Sequence, residues 1–159
     1  GCVFRRQPFA PSRHNLGSTP DSEKDISDIY QIGTVSFSDA WREETIRNDM
    51  KGGHSCYFIA KLAKKVIGYG CFWFIADEAQ LMNIGVLPEY RRMGAAEKIL
   101  KQGLEEAAER HMEVIFLEVR VSNLPAQSLY RKYNFQTVSV RQDVYELPRE
   151  NGYIMSRKV

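Results

Sequence analysis

The sequence predicts a single mixed α/β domain: a central twisted sheet of parallel and antiparallel strands, flanked by helices. Three observations carry this prediction. Residues 55–62 and 66–75 are rich in β-forming side chains and are separated by Ala63-Lys64-Lys65, which reads as a hairpin turn. A third such run, residues 79–86, is followed by Ile99, Leu100, Leu104, Ala107 and Ala108, which have the spacing of an amphipathic helix, and then by a further strand at 114–119. That strand–helix–strand succession is a crossover of the kind that brings its two strands parallel. Finally, 159 residues, of which 43% are apolar and 26% charged, are enough to bury one core of ordinary size.

In chain order, residues 1–20 form an arm with little pattern. Residues 3–6 read as a short edge strand, and Pro8, Pro11, Asn15, Gly17, Ser18 and Pro20 read as loop. The domain proper is expected over 21–159. Asp21 or Ser22 can cap a helix that turns Ile26, Ile29, Tyr30 and Gly33 to one face. Residues 36–41 break it, and a second helix over 43–50 ends at Gly52-Gly53. After the three strands, the crossover helix spans 93–110. A short helix over 123–133 follows the strand 114–119, with Asn123 as its cap and Pro125 in the first turn. Residues 135–145 and 153–157 close the chain as a strand pair. The order is ααβββαβαββ, with room for one strand ahead of it.

Composition narrows the function. A net charge of +2 is no basic excess and argues against a nucleic-acid partner. No apolar run reaches the ~18 residues of a membrane span, and residues 1–20 contain no apolar signal segment. Cys2, Cys56 and Cys71 are an odd set without C-x-x-C spacing. Cys56 and Cys71 fall in strand-like runs and read as buried thiols of a reducing compartment, so the expectation is a cytoplasmic protein with no membrane partner. His14, His54 and His111 are scattered, without metal-ligand spacing. The chain is expected to be a monomer or a weak homodimer.

The stretch around which the chain is organised is Asn83-Ile84-Gly85-Val86-Leu87-Pro88-Glu89-Tyr90-Arg91-Arg92-Met93-Gly94-Ala95-Ala96. It reads as a strand end, a short basic loop and the start of a helix. Pro88 stops the strand because it cannot donate to a ladder. A helix start leaves backbone N–H groups unpaired and carries a partial positive charge, which suits an anion. Gly94, with no Cβ, lets an anionic group approach the backbone. The stretch is neither a Walker loop nor a Rossmann fingerprint, and the same residues also fit an ordinary helix start.

The second informative stretch runs from Phe116 to Tyr130. On its strand Phe116, Glu118 and Arg120 share one face, while Ile115, Leu117 and Val119 share the other. Glu118 has two readings here. It is either a functional carboxylate or the partner of Arg120 in a same-face ion pair, which contributes only ~0–1 kcal/mol when exposed. Tyr130 likewise reads as a core aromatic or as a functional hydroxyl.

Arg-x-x-Gly-x-Ala, from Arg91 to Ala96, resembles the pyrophosphate loop of the GNAT N-acetyltransferases. The preceding Ile84-Gly85-Val86-x-Pro88-x-Tyr90 strengthens the likeness. Leu117-Glu118-Val119-Arg120-x-Ser122-Asn123-x-x-Ala126-x-x-Leu129-Tyr130 resembles one subgroup, the RimI-type ribosomal-protein alanine N-acetyltransferases, and the resemblance covers about residues 36–155. It implies an acyltransferase that uses acetyl-CoA, releases coenzyme A, and acetylates the α-amine of a peptide or protein N-terminus, such as that of a ribosomal protein. The strand end Ile84, Gly85 and Val86, the loop Arg91, Arg92, Met93, Gly94, Ala95 and Ala96, and Asn123 and Tyr130 would contact the coenzyme. Glu118 would be the general base and Tyr130 the general acid. Phe37, Trp41 and Tyr145, with Asn83, would line the acceptor cleft, although Phe37 and Trp41 could equally plug the core. The chain departs from the family after the short helix, where Asn134-Phe135 replaces Gly-Phe. It departs again near the end, where the loop after Tyr145 is shorter and has lost a Tyr and an acid.

The implied chemistry suits these residue types. An amine attacks a thioester only when unprotonated, and a peptide α-amine has a pKa of ~8. A base must therefore take its proton. The developing oxyanion needs a donor, for which the N–H of Val86 is the candidate. The leaving thiolate needs a proton or a hydrogen bond, which a Tyr hydroxyl supplies. No metal or covalent enzyme intermediate is required, and no Cys or Ser is suitably paired for nucleophilic catalysis. Two other readings remain at this point: an enzyme of the same family acting on a small-molecule amine, and an acyl-CoA-binding module without turnover.

Overall fold

A computed structural model describes residues 10–14 and 22–159. The elements, in chain order, are β1 (Ala10–His14), α1 (Ser22–Ser36), α2 (Glu43–Lys51), β2 (Ser55–Leu62), β3 (Lys65–Ile75), β4 (Glu78–Val86), a 3-10 turn (Pro88–Tyr90), α3 (Ala95–Glu109), β5 (Val114–Arg120), α4 (Leu124–Lys132), β6 (Gln136–Glu146) and β7 (Arg149–Lys158). The strands form one sheet in the order β1-β2-β3-β4-β5-β7-β6. Of its pairings only β4 with β5 is parallel, as the crossover through α3 requires.

Three corrections to the sequence reading concern the ends of elements. The closing strand expected from residue 153 already begins at Arg149, because it pairs with β6 through a turn of only Leu147 and Pro148. Residues 10–14, expected as loop, form β1 and pair antiparallel with β2, Ser12 opposite Ile59. The edge strand expected at residues 3–6 lies outside the described residues. The crossover helix begins at Ala95 rather than at residue 93, because Gly94 is in the left-handed conformation, with φ +82°, and so stands before the helix as its cap.

Two cores form on the two faces of the sheet. On one face α1 buries Ile26, Ile29 and Ile32 and α2 buries Ile46 and Met50, at the spacing of a helical stripe, against Tyr57, Ile59, Tyr69 and Cys71. On the other, α3 buries Ile99, Leu100 and Ala107 against Phe58, Phe72, Ile115, Leu117 and Val119, and α4 packs its Ala126, Leu129 and Tyr130 onto the same cluster. Strand alternation therefore sends Ile115, Leu117 and Val119 toward α3 and α4, and Phe116, Glu118 and Arg120 toward the α1–α2 face. Cys56 and Cys71 are both buried. Asn134 has φ +69°, so it supplies the left-handed turn that Gly provides in the family pattern. Among the described residues no helix is long and apolar enough to cross a membrane.

Candidate active site

The site begins with a gap in the sheet. β4 and β5 pair only from Glu78 opposite Val114 to Leu81 opposite Leu117. Beyond that point β4 stays with β3 as far as Val86, and β5 stays with β7 as far as Arg120. A bulge starts the divergence. Cys71 faces Asn83 while the next residue, Phe72, faces Leu81, so Met82 is the extra residue in β4. The N–H of Leu87 donates to the Ile67 carbonyl at 2.8 Å. Alternation along an antiparallel ladder then turns the N–H groups of Ile84 and Val86 away from β3, toward the gap. The Val86 carbonyl, aimed the same way, accepts from Arg91 Nε at 3.1 Å.

A cavity of about 1210 Å³ passes through this gap and is lined from both faces of the sheet. Asn83, Ile84, Gly85, Val86, Arg91, Arg92, Gly94, Ala95, Ala96, Glu118, Asn123, Tyr130, Phe37, Trp41 and Tyr145 all border it. Met93 does not: its side chain is exposed and outside the lining, so only its backbone remains available to a ligand there. Phe37 and Trp41 are neither wholly core nor wholly surface. They pack against the α1–α2 core and also border the cavity.

On the α3–α4 side, the start of α3 is open. Gly94 is a cap without a side chain, and a Cβ built there meets nothing within 4 Å. Its left-handed φ, followed by helical Ala95, makes successive N–H groups converge into a concavity that suits an anion. Because the Arg91 side chain is folded back onto Val86, it braces the strand–loop junction. At α4, Asn123 Oδ1 caps the helix by accepting from the Ala126 N–H at 3.2 Å. One turn on, the Tyr130 ring meets Phe135 edge-on, with ring centroids 5.9 Å apart. Among the described residues the Tyr130 hydroxyl has no hydrogen-bond partner, and burial pushes its pKa up to about 12.

On the α1–α2 side, Glu118 does not pair with Arg120, which corrects that alternative from the sequence. Its Oε2 accepts from Arg141 Nη1 at 3.0 Å, and its other oxygen has no partner among the described residues. Sequence reasoning missed Arg141 because β7 lies between β5 and β6. The reach is open because Gly152, on β7, faces both Arg120 and Arg141. A Cβ on Gly152 would stand 3.0 Å from the Tyr145 ring and 3.2 Å from Glu118 Cγ. A second bulge aims Tyr145. Between Arg141, opposite Gly152, and Tyr145, opposite Glu150, β6 holds more residues than β7. There Asp143 takes φ +51°, and its N–H donates to Asn151 Oδ1 at 2.8 Å. Burial, reinforced by the nearby Glu118 carboxylate, raises the Tyr145 pKa above the ordinary phenol value.

Arg120 instead pairs with Glu150, Nη1 to Oε1 at 3.2 Å, and its guanidinium lies 4.2 Å over the Tyr145 ring centroid. Glu150 Oε2 accepts from the Ser122 N–H at 2.7 Å. Those bonds hold the Glu150 carboxyl below its usual pKa, that from Ser122 most of all. No local pattern in the sequence signals the Arg120–Glu150 pair, since its members meet only through the β5–β7 pairing.

The sheet is thus opened between two parallel strands, with a glycine-capped helix start on one face and a carboxylate on the other. The sequence profile of the Acetyltransferase (GNAT) family matches residues 24–135, and the chain belongs to that family; it is an N-acetyltransferase. It is 32% identical to the N-alpha-acetyltransferase of Saccharolobus solfataricus, over 84% of this chain and 87% of the relative. It is 31% identical to the ribosomal protein bS18-alanine N-acetyltransferase of Haemophilus influenzae, over 83% of this chain and 91% of the relative. Among solved structures, the ribosomal-protein-S18-alanine N-acetyltransferase of Escherichia coli superposes with a TM-score of 0.82, at 26% identity and 94% coverage of both chains.

Proposed function

We propose that this N-acetyltransferase acetylates the α-amine of a protein N-terminus, with the coenzyme held on the α3–α4 face and the acceptor on the α1–α2 face. The observation that carries the reading is the gap itself. Glu118 and Tyr130 belong to opposite faces of the sheet, and both border the one cavity that joins them. The names of the two relatives above, an N-alpha-acetyltransferase and a ribosomal protein bS18-alanine N-acetyltransferase, support the choice of acceptor.

Acetyl-CoA supplies the thioester carbonyl that the amine attacks. The converging N–H groups at Gly94, Ala95 and Ala96 would hold the pyrophosphate, and Asn123 and the Ile84–Val86 edge would hold the rest of the coenzyme. Glu118, with one oxygen fixed by Arg141 and the other free, takes the ammonium proton directly or through water. The Val86 N–H, turned into the gap, meets the oxygen on which charge develops. Tyr130, with a pKa of about 12, is a weaker acid than a thiol, at ~8.5. It therefore remains protonated at neutral pH and stabilises the leaving thiolate chiefly by donating a hydrogen bond.

The reading is tested by following thiol release from acetyl-CoA with a peptide panel and, in parallel, a panel of small amines. Release with peptides alone is expected. Release only with small amines would overturn the choice of acceptor, and tight CoA binding without any release would mark a module that does not turn over. Tyr145→Ala should raise the peptide KM and leave CoA affinity unchanged. A loss of folding in that variant, seen by circular dichroism, would instead make Tyr145 part of the core.

A further inference from the structure

We propose that Arg120 is a positioning residue that latches together the two segments flanking the acceptor cleft, and thereby limits the size of the first side chain the cleft admits. The inference rests on the peptide-acceptor reading above. Arg120 ends β5 on the acceptor face, and one guanidinium binds both segments. Nη2 donates to Ser38 Oγ at 2.9 Å and to the Leu147 carbonyl at 3.1 Å. Nη1 donates to the Pro148 carbonyl at 2.9 Å as well as to Glu150. Ser38 lies between α1 and α2, next to Phe37, while Leu147 and Pro148 form the turn between β6 and β7, just beyond Tyr145. The latch thus fixes the spacing between the two aromatic walls, Phe37 and Tyr145, and it is stacked on the second of them.

Two features support the latch. The Arg120 side chain is 21% exposed and that of Glu150 13%, so their charge-assisted pair is partly shielded, while the bonds to Ser38, Leu147 and Pro148 lie nearer the solvent. In addition, among the described residues no other side-chain hydrogen bond joins residues 38–41 to the rest of the protein. Only a planar guanidinium, with five donors in a fixed fork, can serve two segments at once. A lysine ammonium is a single point charge on a flexible stem.

The test uses Arg120→Lys, Ser38→Ala and Ser38→Thr, each checked for native circular dichroism and for CoA affinity. The readouts are amide hydrogen exchange and the ratio of kcat/KM for peptides beginning with Ala and with Leu. Loss of one charge-assisted hydrogen bond changes such quantities by about tenfold. Ser38→Ala should speed exchange in residues 37–42 and shrink the Ala-to-Leu ratio by that order. Arg120→Lys should do the same and also speed exchange in the β6–β7 turn. Ser38→Thr, which keeps the hydroxyl, should behave as wild type. Unchanged exchange and an unchanged ratio in folded Ser38→Ala would overturn the latch while leaving the acceptor reading intact. Faster exchange with no peptide turnover even by the wild type would overturn the acceptor reading, and the size limit with it.

Discussion

Tyr130→Phe should retain the fold and its affinity for CoA while kcat falls by a factor on the order of 10²–10³, the range for a lost hydrogen-bond donor to developing charge. The ring is what packs, edge-on to Phe135 and onto the α3–α4 core. Its hydroxyl bonds to no described protein group, so its removal breaks no internal hydrogen bond and strands no buried partner. An effect on rate without an effect on stability is therefore expected. The measurement is kcat with saturating acetyl-CoA and a reactive peptide, under conditions where chemistry limits turnover. A value within about threefold of wild type would remove Tyr130 from the mechanism. Glu118→Gln is its companion. It should also slow the reaction at neutral pH, but the loss should shrink as pH rises past ~8, because the free-amine fraction then grows and less proton removal is needed. A deficit of the same size at every pH would mean that Glu118 binds the acceptor rather than acting as its base.

Gly94→Glu should abolish detectable CoA binding by calorimetry, whereas Arg92→Ala should weaken it only modestly. The side chain finds open space in the protein by itself, since nothing lies within 4 Å of the added Cβ. A carboxylate at a helix start is also favourable to the helix. Against these stands the strain of φ +82° for a residue with a Cβ, about 1 kcal/mol. The variant should therefore fold, and its defect should be one of binding. The new side chain would occupy the concavity over the N–H groups and repel a second anion there. Arg92 is exposed, so removing its charge costs little once solvent screening is considered. Equal CoA affinity for wild type and Gly94→Glu would sink the assignment of this loop.

Local pattern and long-range pairing divide what the sequence makes legible. The bounds of β2 and β4 and the helical stripe of α3 follow from periodicities within one element. The loop at Gly94 follows from one glycine and its flanks. Alternation alone puts Glu118 on one face of β5 with Phe116 and Arg120, but it does not reveal the partner of Glu118. That Arg141 reaches it depends on β7 entering between β5 and β6, which no window of residues encodes. The same holds for Arg120, whose bonds join positions at Ser38 and at Leu147 and Pro148 that are distant along the chain. The bulge that aims Tyr145 depends on Asp143 in a left-handed conformation and on the Asn151 side chain. Asn151-Gly152 reads locally as a turn, yet it lies within β7, so the local signal points away from the bulge. β1 went unread because its Pro11 and the many turn formers around it read as loop, while its pairing with β2 supplies the ladder that its own propensity lacks.

The parting of β4 from β5 makes the sheet a partition with one doorway. With the faces assigned as proposed above, a carrier arriving from behind and a polypeptide arriving in front would meet at the threshold. Spent carrier would then be exchanged at the rear while the polypeptide still stood at the front. A bulky folded protein whose terminus alone reaches the threshold would not obstruct the supply of the next acetyl group.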